Sequence, residues 1–231
     1  MQALACAGLG RRFGPRWAVR SLQLDVAPGE VVALLGANGA GKSTLLRCCA
    51  TLLAPTEGRV RIAGADARED GAAARAKLGF AGDAPRLYGD LTVEENLRFV
   101  AGFHAAGVAR IAPLLDAVHL AGRARDRART LSRGMAQRLS IARALVGAPA
   151  LVLLDEPFAA LDETSREAVA ALLAREAARG AAVLFSAQRL DAAPATTTRA
   201  VALRDGQLAW EQRAPLAELR ARWAEAQGGK A

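Results

Sequence analysis

Val31-Val32-Ala33-Leu34-Leu35-Gly36-Ala37-Asn38-Gly39-Ala40-Gly41-Lys42-Ser43-Thr44 is the stretch that decides the fold. The apolar run from Val31 to Leu35 predicts a buried strand, and the glycine-rich turn behind it opens into a helix. Such a turn is a phosphate cradle. Glycines let backbone N–H groups curl around a β-phosphate with no Cβ in the way. Lys42 is placed to neutralise β- and γ-oxygens, and the Ser43 hydroxyl to hold Mg²⁺. The implied ligand is a nucleoside triphosphate with its metal.

A second constellation starts at Leu131-Ser132-Arg133-Gly134-Met135, ahead of a run whose Leu139, Ala142, Leu145 and Val146 recur at helical spacing. Ser132 reads as the N-cap of that helix. A hydroxyl and a side-chain-free Gly134 at a helix N-terminus form another anion site, suited to a γ-phosphate met from the opposite side. One chain has no need of two such sites. Ala150 to Glu156 then reads as a buried strand ending in two carboxylates, Asp155 to reach a metal and Glu156 to polarise a water. Pro157 and Leu161-Asp162 follow in a turn.

Together these residues resemble the ATP-binding cassette (ABC) ATPases from Phe13 to about Trp210. The resemblance implies an α/β P-loop NTPase fold: a RecA-like core with a mainly parallel sheet, an antiparallel β-subdomain and an α-helical subdomain. It also implies ATP and Mg²⁺ as ligands. The phosphate loop would be Gly36 to Thr44, so that Gly36, Asn38, Gly39, Ala40, Gly41, Lys42, Ser43 and Thr44 hold the nucleotide. Asp155 and Glu156 fall at the metal and base positions, and Phe13 falls where the family stacks a ring on adenine. For Phe13, a half-exposed surface aromatic is the competing reading. Ser132, Arg133 and Gly134 match the family signature, usually Leu-Ser-Gly-Gly-Gln, which caps the nucleotide on a second subunit. Asp162 falls in the loop that touches that subunit, so a homodimer is expected.

Two departures bear on hydrolysis. Where the family has a glutamine that contacts Mg²⁺ and the attacking water, this chain has Asp83, which can still bind metal. Where it has a histidine on the γ-phosphate, this chain has Gln188. An amide donates a hydrogen bond but carries no positive charge, so transition-state stabilisation should be weaker and the ATPase slow. His104 and His119 lie in the middle segment and read as surface or packing residues.

The chain of 231 residues is long enough for a substantial core, and its 52% apolar content suits a globular protein. Its longest apolar stretch, Ala144 to Leu154, is too short to cross a bilayer, and no leader pattern opens the sequence. The cytoplasmic face of the membrane is therefore the expected location. The expected division is a catalytic core over 1–90 and 148–210 that includes the antiparallel part, a helical subdomain over 91–147, and a last helix, Leu216 to Trp223, with a loose tail. Short alternating strands are expected over the first 30 or so residues, and a helix from Thr164 to Arg179 capped by Gly180. Cys6, Cys48 and Cys49 suit packing better than a disulfide or metal. The net charge of +8 reflects Arg scattered through every segment without interleaved aromatics, so no nucleic-acid partner is expected. An anionic membrane surface would also suit it.

By resemblance, a lone cassette of this size couples to a separate integral membrane permease. Met135 and the stretch Glu94-Glu95-Asn96-Leu97-Arg98-Phe99 look most like exporter subunits, with the haem-exporter ATPases of cytochrome c maturation as the nearest likeness. Drug, lipid and ion exporters share similar wording. The rival readings are a soluble ABC ATPase of iron–sulfur assembly or nucleic-acid work, and an ATP-gated clamp with little hydrolysis.

Overall fold

The computed structural model of the chain describes residues 1–104 and 107–228. Its amino-terminal layer is an antiparallel sheet built on a hairpin of β1 (Leu4–Phe13) and β2 (Arg16–Val26), extended by β4 (Glu57–Ile62) and β5 (Ala65–Asp66) in the order β2-β1-β4-β5. The two hairpin strands are 10 and 11 residues long, against the short strands expected there. Alternation is strict only at the end of β2, where Leu22, Leu24 and Val26 are buried while Ser21, Gln23 and Asp25 are exposed; the extra length comes from pairing with β1, which continues through Val19, Trp17 and Arg16.

The second sheet has the order β10-β9-β3-β8-β7-β6. It comprises β3 (Val31–Leu35), β6 (Leu78–Ala81), β7 (Leu151–Leu154), β8 (Ala182–Ala187), β9 (Arg199–Arg204) and β10 (Gln207–Arg213). The strands from β9 to β6 pair in parallel, and β10 closes the edge as an antiparallel hairpin with β9. Crossovers are supplied by α1 (Lys42–Cys49), α2 (Gly71–Ala76), α3 (Val93–Ala101), α4 (Gly107–Ala117), α5 (Arg133–Leu145) and α6 (Glu163–Ala178), with α7 (Leu216–Gly228) last. The α7 helix runs past Trp223, because Ala, Glu and Gln continue the helix-forming composition where a loose tail was expected.

The β3 strand is apolar on both sides because it has a layer on each. Val32 and Leu34 belong to the core shared with α1 and the antiparallel sheet, whereas Val31, Ala33 and Leu35 belong to the core shared with α3 to α6. Polar backbone ends are closed locally. Thr92 and Glu95 form a reciprocal capping box on α3, with Glu95 N–H donating to Thr92 Oγ1 at 3.1 Å and Thr92 N–H to Glu95 Oε2 at 2.7 Å. Fully buried Asn96 accepts from the Tyr88 N–H and donates to the Tyr88 carbonyl, pinning the segment that leads from β6 into α3.

The edge strand β6 meets α5 at Gly79, where a Cβ would lie 2.1 Å from the Ala144 carbonyl oxygen. Backbone touches backbone there, and any side chain must push the helix off the sheet. Gly79→Ala is therefore expected to cost about 1–3 kcal/mol and to lower the thermal midpoint by roughly 3–10 °C. An unchanged midpoint in calorimetry would show that α5 and β6 part without penalty.

Candidate nucleotide site

The loop after β3 returns to α1 through Gly41, at φ 105°, where a Cβ would stand 2.2 Å from the Ala18 carbonyl. Gly41 is also the N-cap of α1, so no side chain satisfies the first N–H groups, and the first turn carries no acid. The helix start is thus left with free donors and the positive end of its dipole. The Lys42 side chain is buried and curls over the loop, its Nζ donating to the Gly36 carbonyl at 2.6 Å and the Ala37 carbonyl at 3.1 Å. Burial pulls the Lys42 ammonium pKa below its ordinary value, while the Glu156 and Asp155 carboxylates act in the opposite direction.

A cleft of about 610 Å³ opens over this loop, with Phe13, Trp17, Lys42, Ser43, Thr44 and Glu156 on its walls. Phe13, at the tip of β1, is 48% exposed, and the Arg11 guanidinium lies 4.7 Å from its ring centroid. Trp17 was missed in the sequence. Its signal was the tight turn at Gly14-Pro15, which pairs Phe13 with Arg16 and Arg12 with Trp17 and so puts a second ring beside the first.

Across the loop, β7 delivers two carboxylates and β8 a hydroxyl between them. Asp155 is buried, its Oδ1 accepting from the Ser186 hydroxyl at 2.6 Å. The same Ser186 oxygen accepts the Glu156 N–H at 2.9 Å, so one hydroxyl spans both carboxylate residues. Glu156 sits at φ 49°, a strained backbone for a residue with a side chain. Its carboxylate accepts from Gln188 Nε2 at 3.2 and 3.5 Å. Ser186 also escaped the sequence reading, although it is the one polar residue in the run Ala182–Ala187.

Asp155 Oδ2 is buried with no hydrogen-bond partner. An orphaned carboxylate oxygen beside a serine-bearing helix start fits a divalent cation, which would satisfy it. Among the described residues no three His, Cys, Asp or Glu side chains come close enough to hold a metal themselves. Mg²⁺ at this place would be held by Asp155 and Ser43, with phosphate oxygens and water completing its shell. Asp83 is the other carboxylate expected at the metal. It lies two residues beyond β6, exposed, and its carboxylate is 3.5 Å from Arg47, one turn along α1 from Ser43.

Ser132 caps α5, accepting the Met135 N–H at 3.3 Å, and both Ser132 and Arg133 are exposed. A Cβ on Gly134 would lie 2.9 Å from the Ala160 carbonyl. Asp162 caps α6 through the Ser165 N–H at 2.8 Å, a bond that holds its carboxyl below its ordinary pKa. The α6 helix accordingly starts at Glu163, one residue before the expected Thr164. None of Ser132, Arg133, Gly134 and Asp162 lines the Lys42 cleft of the same chain. His104 packs against Gly147 and His119 is exposed, both away from that cleft. Cys6, Cys48 and Cys49 are free and buried, with Cys6 and Cys49 sulfurs 3.6 Å apart.

The sequence family described as ABC transporter matches residues 19–159. The chain is 39% identical over 236 residues to a phosphonates import ATP-binding protein of Anaeromyxobacter dehalogenans (strain 2CP-C), an alignment covering 94% of this chain and 47% of that protein. It is 34% identical over 200 residues to the Nod factor export ATP-binding protein I of Paraburkholderia xenovorans (strain LB400), covering 85% of this chain and 66% of that one. The chain thus spans about half the length of the phosphonate relative. Among solved structures, a dimeric ATP-binding cassette in a post-hydrolysis state with ADP and Pi superposes at a TM-score of 0.82 with 28% identity, covering 91% of this chain and 98% of that one.

Ser186→Ala removes the hydroxyl from between Asp155 and Glu156 without touching the phosphate loop. Nucleotide affinity, measured by calorimetry, is expected to hold, while phosphate release falls roughly tenfold, or about 1.4 kcal/mol. Loss of both together would place the role of Ser186 in folding alone.

Proposed function

Because the chain belongs to the ABC transporter family, we propose that it binds ATP and Mg²⁺ in the Lys42 cleft as one half of a homodimer, and hydrolyses the nucleotide to drive a separate integral membrane permease. The observation that carries this reading is the Ser186 hydroxyl bonded at once to Asp155 and to the Glu156 backbone, which sets a metal carboxylate and a base side by side. Phe13 and Trp17 would stack the base, and the loop N–H groups with Lys42 would take the phosphates. Mg²⁺, when bound by Ser43 and Asp155, supplies charge neutralisation on the β- and γ-oxygens. Glu156 accepts a proton from water as the water oxygen bonds to the γ-phosphorus and the bridging P–O bond to ADP breaks. Gln188 steadies the Glu156 carboxylate through one N–H and has a second to offer the γ-phosphate. Being neutral, it leaves hydrolysis slow.

Two features support the homodimer: the signature residues do not line their own chain's cleft, and a similar cassette is dimeric with ADP and Pi. In that dimer, Ser132, Arg133 and Gly134 would close on the partner's nucleotide, with Asp162 beside them. No helix among the described residues is long and apolar enough to cross a membrane, which suits attachment through the permease at the cytoplasmic face. Export is the direction we infer, with haem for cytochrome c biogenesis as cargo, on the wording of Glu94 to Phe99 and Met135. The relatives above are named for phosphonate import and Nod factor export, so the choice of cargo would rest in the permease. The contact between Gln188 and Glu156 favours a second reading, an ATP-gated clamp, for which tight ATP binding without phosphate release beside the native partner would be the sign.

Affinity purification of the tagged chain from solubilised native membranes is expected to bring down a multi-span protein. Recovery solely with soluble factors would sink the transporter reading. Gln188→His adds a group of ordinary pKa about 6.5. Turnover is expected to rise about tenfold at pH 6, the equivalent of about 1.4 kcal/mol, and the gain should fade by pH 8 as the imidazolium loses its proton. A rate that stays the same at both pH values would show that this position does not limit hydrolysis.

A further inference from the structure

Three arginines tie the signature helix α5 to its surroundings. Arg138 donates to the Val118 and His119 carbonyls at the end of α4, and Arg143 to the Pro85 and Arg86 carbonyls after β6. The third tie comes from outside the helix. Arg110, on α4, donates through Nε to the carbonyl of Leu145, the last residue of α5, at 3.2 Å, and through a terminal nitrogen to Glu176 Oε2 at 2.8 Å. Glu176 lies on α6, its side chain 4% exposed, and its other oxygen accepts from Arg179 at 3.1 Å. One guanidinium thus bridges the C-terminal ends of two helices.

The same two helices also approach at their N-terminal ends. Gly134 of α5 packs against the carbonyl of Ala160, two residues before the Asp162 cap of α6. Apolar packing between them does not specify register, because hydrophobic contact is non-directional. A planar fork with fixed donor directions does. Sliding α5 by one residue would shift Ser132 by about 1.5 Å relative to Asp162, enough to spoil a phosphate contact. A buried ion pair is weak evidence for stability, since apolar replacements of equal volume commonly serve as well. Its fixed geometry is what an apolar pair lacks.

Resting on the homodimer reading above, we propose that Arg110 is a positioning residue. By holding Glu176 and the Leu145 carbonyl together, it sets the register of α5 against α6, and so the spacing at which Ser132 and Asp162 meet the partner's nucleotide.

The test uses the full chain carrying Glu156→Gln, so that bound ATP persists, with Arg110→Met alone and with the apolar pair Arg110→Met/Glu176→Leu. The single variant leaves Glu176 without its partner from α4 and should lower the thermal midpoint, whereas the apolar pair should recover it. In the recovered double variant, amide exchange over residues 136–145 without nucleotide is expected to run about tenfold faster than in the parent. Monomer ATP affinity should be unchanged, and ATP-driven dimerisation weakened about tenfold, read by sedimentation. Exchange equal to the parent's, or faster exchange with undiminished dimerisation, overturns the proposal. If the parent itself stays monomeric with ATP, the homodimer reading falls, while the exchange rates still decide whether Arg110 fixes the helix pair.

Discussion

Burial of the central strands on both faces is the constraint on which everything else rests. The residues of β3 and β7 are buried along their whole length, with an antiparallel layer and α1 on one side and α3 to α6 on the other. No charge can be carried inside such a strand without an excessive desolvation cost. Polar chemistry is therefore displaced to the points where strands end, and in a parallel sheet those ends lie on one edge. Gly36, Asp155, Glu156 and Ser186 with Gln188 are the residues that β3, β7 and β8 place there.

At that edge the polar groups satisfy one another only in part, and the shortfall has chemical meaning. Ser186 takes up one Asp155 oxygen and leaves the other without a partner. Lys42 turns back onto the loop carbonyls, the nearest acceptors it has. Free helix donors, a buried cation and an orphaned carboxylate oxygen share one small region, a combination complementary to a phosphate chain and a divalent metal. Glu156, held at a left-handed backbone angle, stores strain where a base would act.

The helical segment is joined to this edge by directional contacts laid over apolar ones. Gly79 lets α5 rest on β6 at backbone distance, Asn96 holds the Tyr88 segment, and Arg110 spans α5 and α6. Apolar side chains supply most of the adhesion, and the polar contacts choose among the many ways apolar surfaces can meet. That division fixes how the amino-terminal end of α5 stands relative to the ends of β3, β7 and β8.

The sequence by itself determined the phosphate loop, the carboxylate pair after β7, the Ser132 cap, the parallel core and the alternation of Leu22, Leu24 and Val26 with polar residues. Each of these is local: a run of neighbouring residues whose periodicity or turn chemistry is complete within a few positions. What only the tertiary structure decided involves residues far apart in the chain. Trp17 reaches the cleft because a hairpin folds it back beside Phe13, Ser186 joins Asp155 and Glu156 because β8 pairs with β7, and Asp83 turns to Arg47 because the end of β6 passes α1. The clasp of Arg110 on Glu176 spans 66 positions. Periodicity reports which face of an element is buried and is silent about which polar group that face will meet, since the meeting is fixed only when the layers pack.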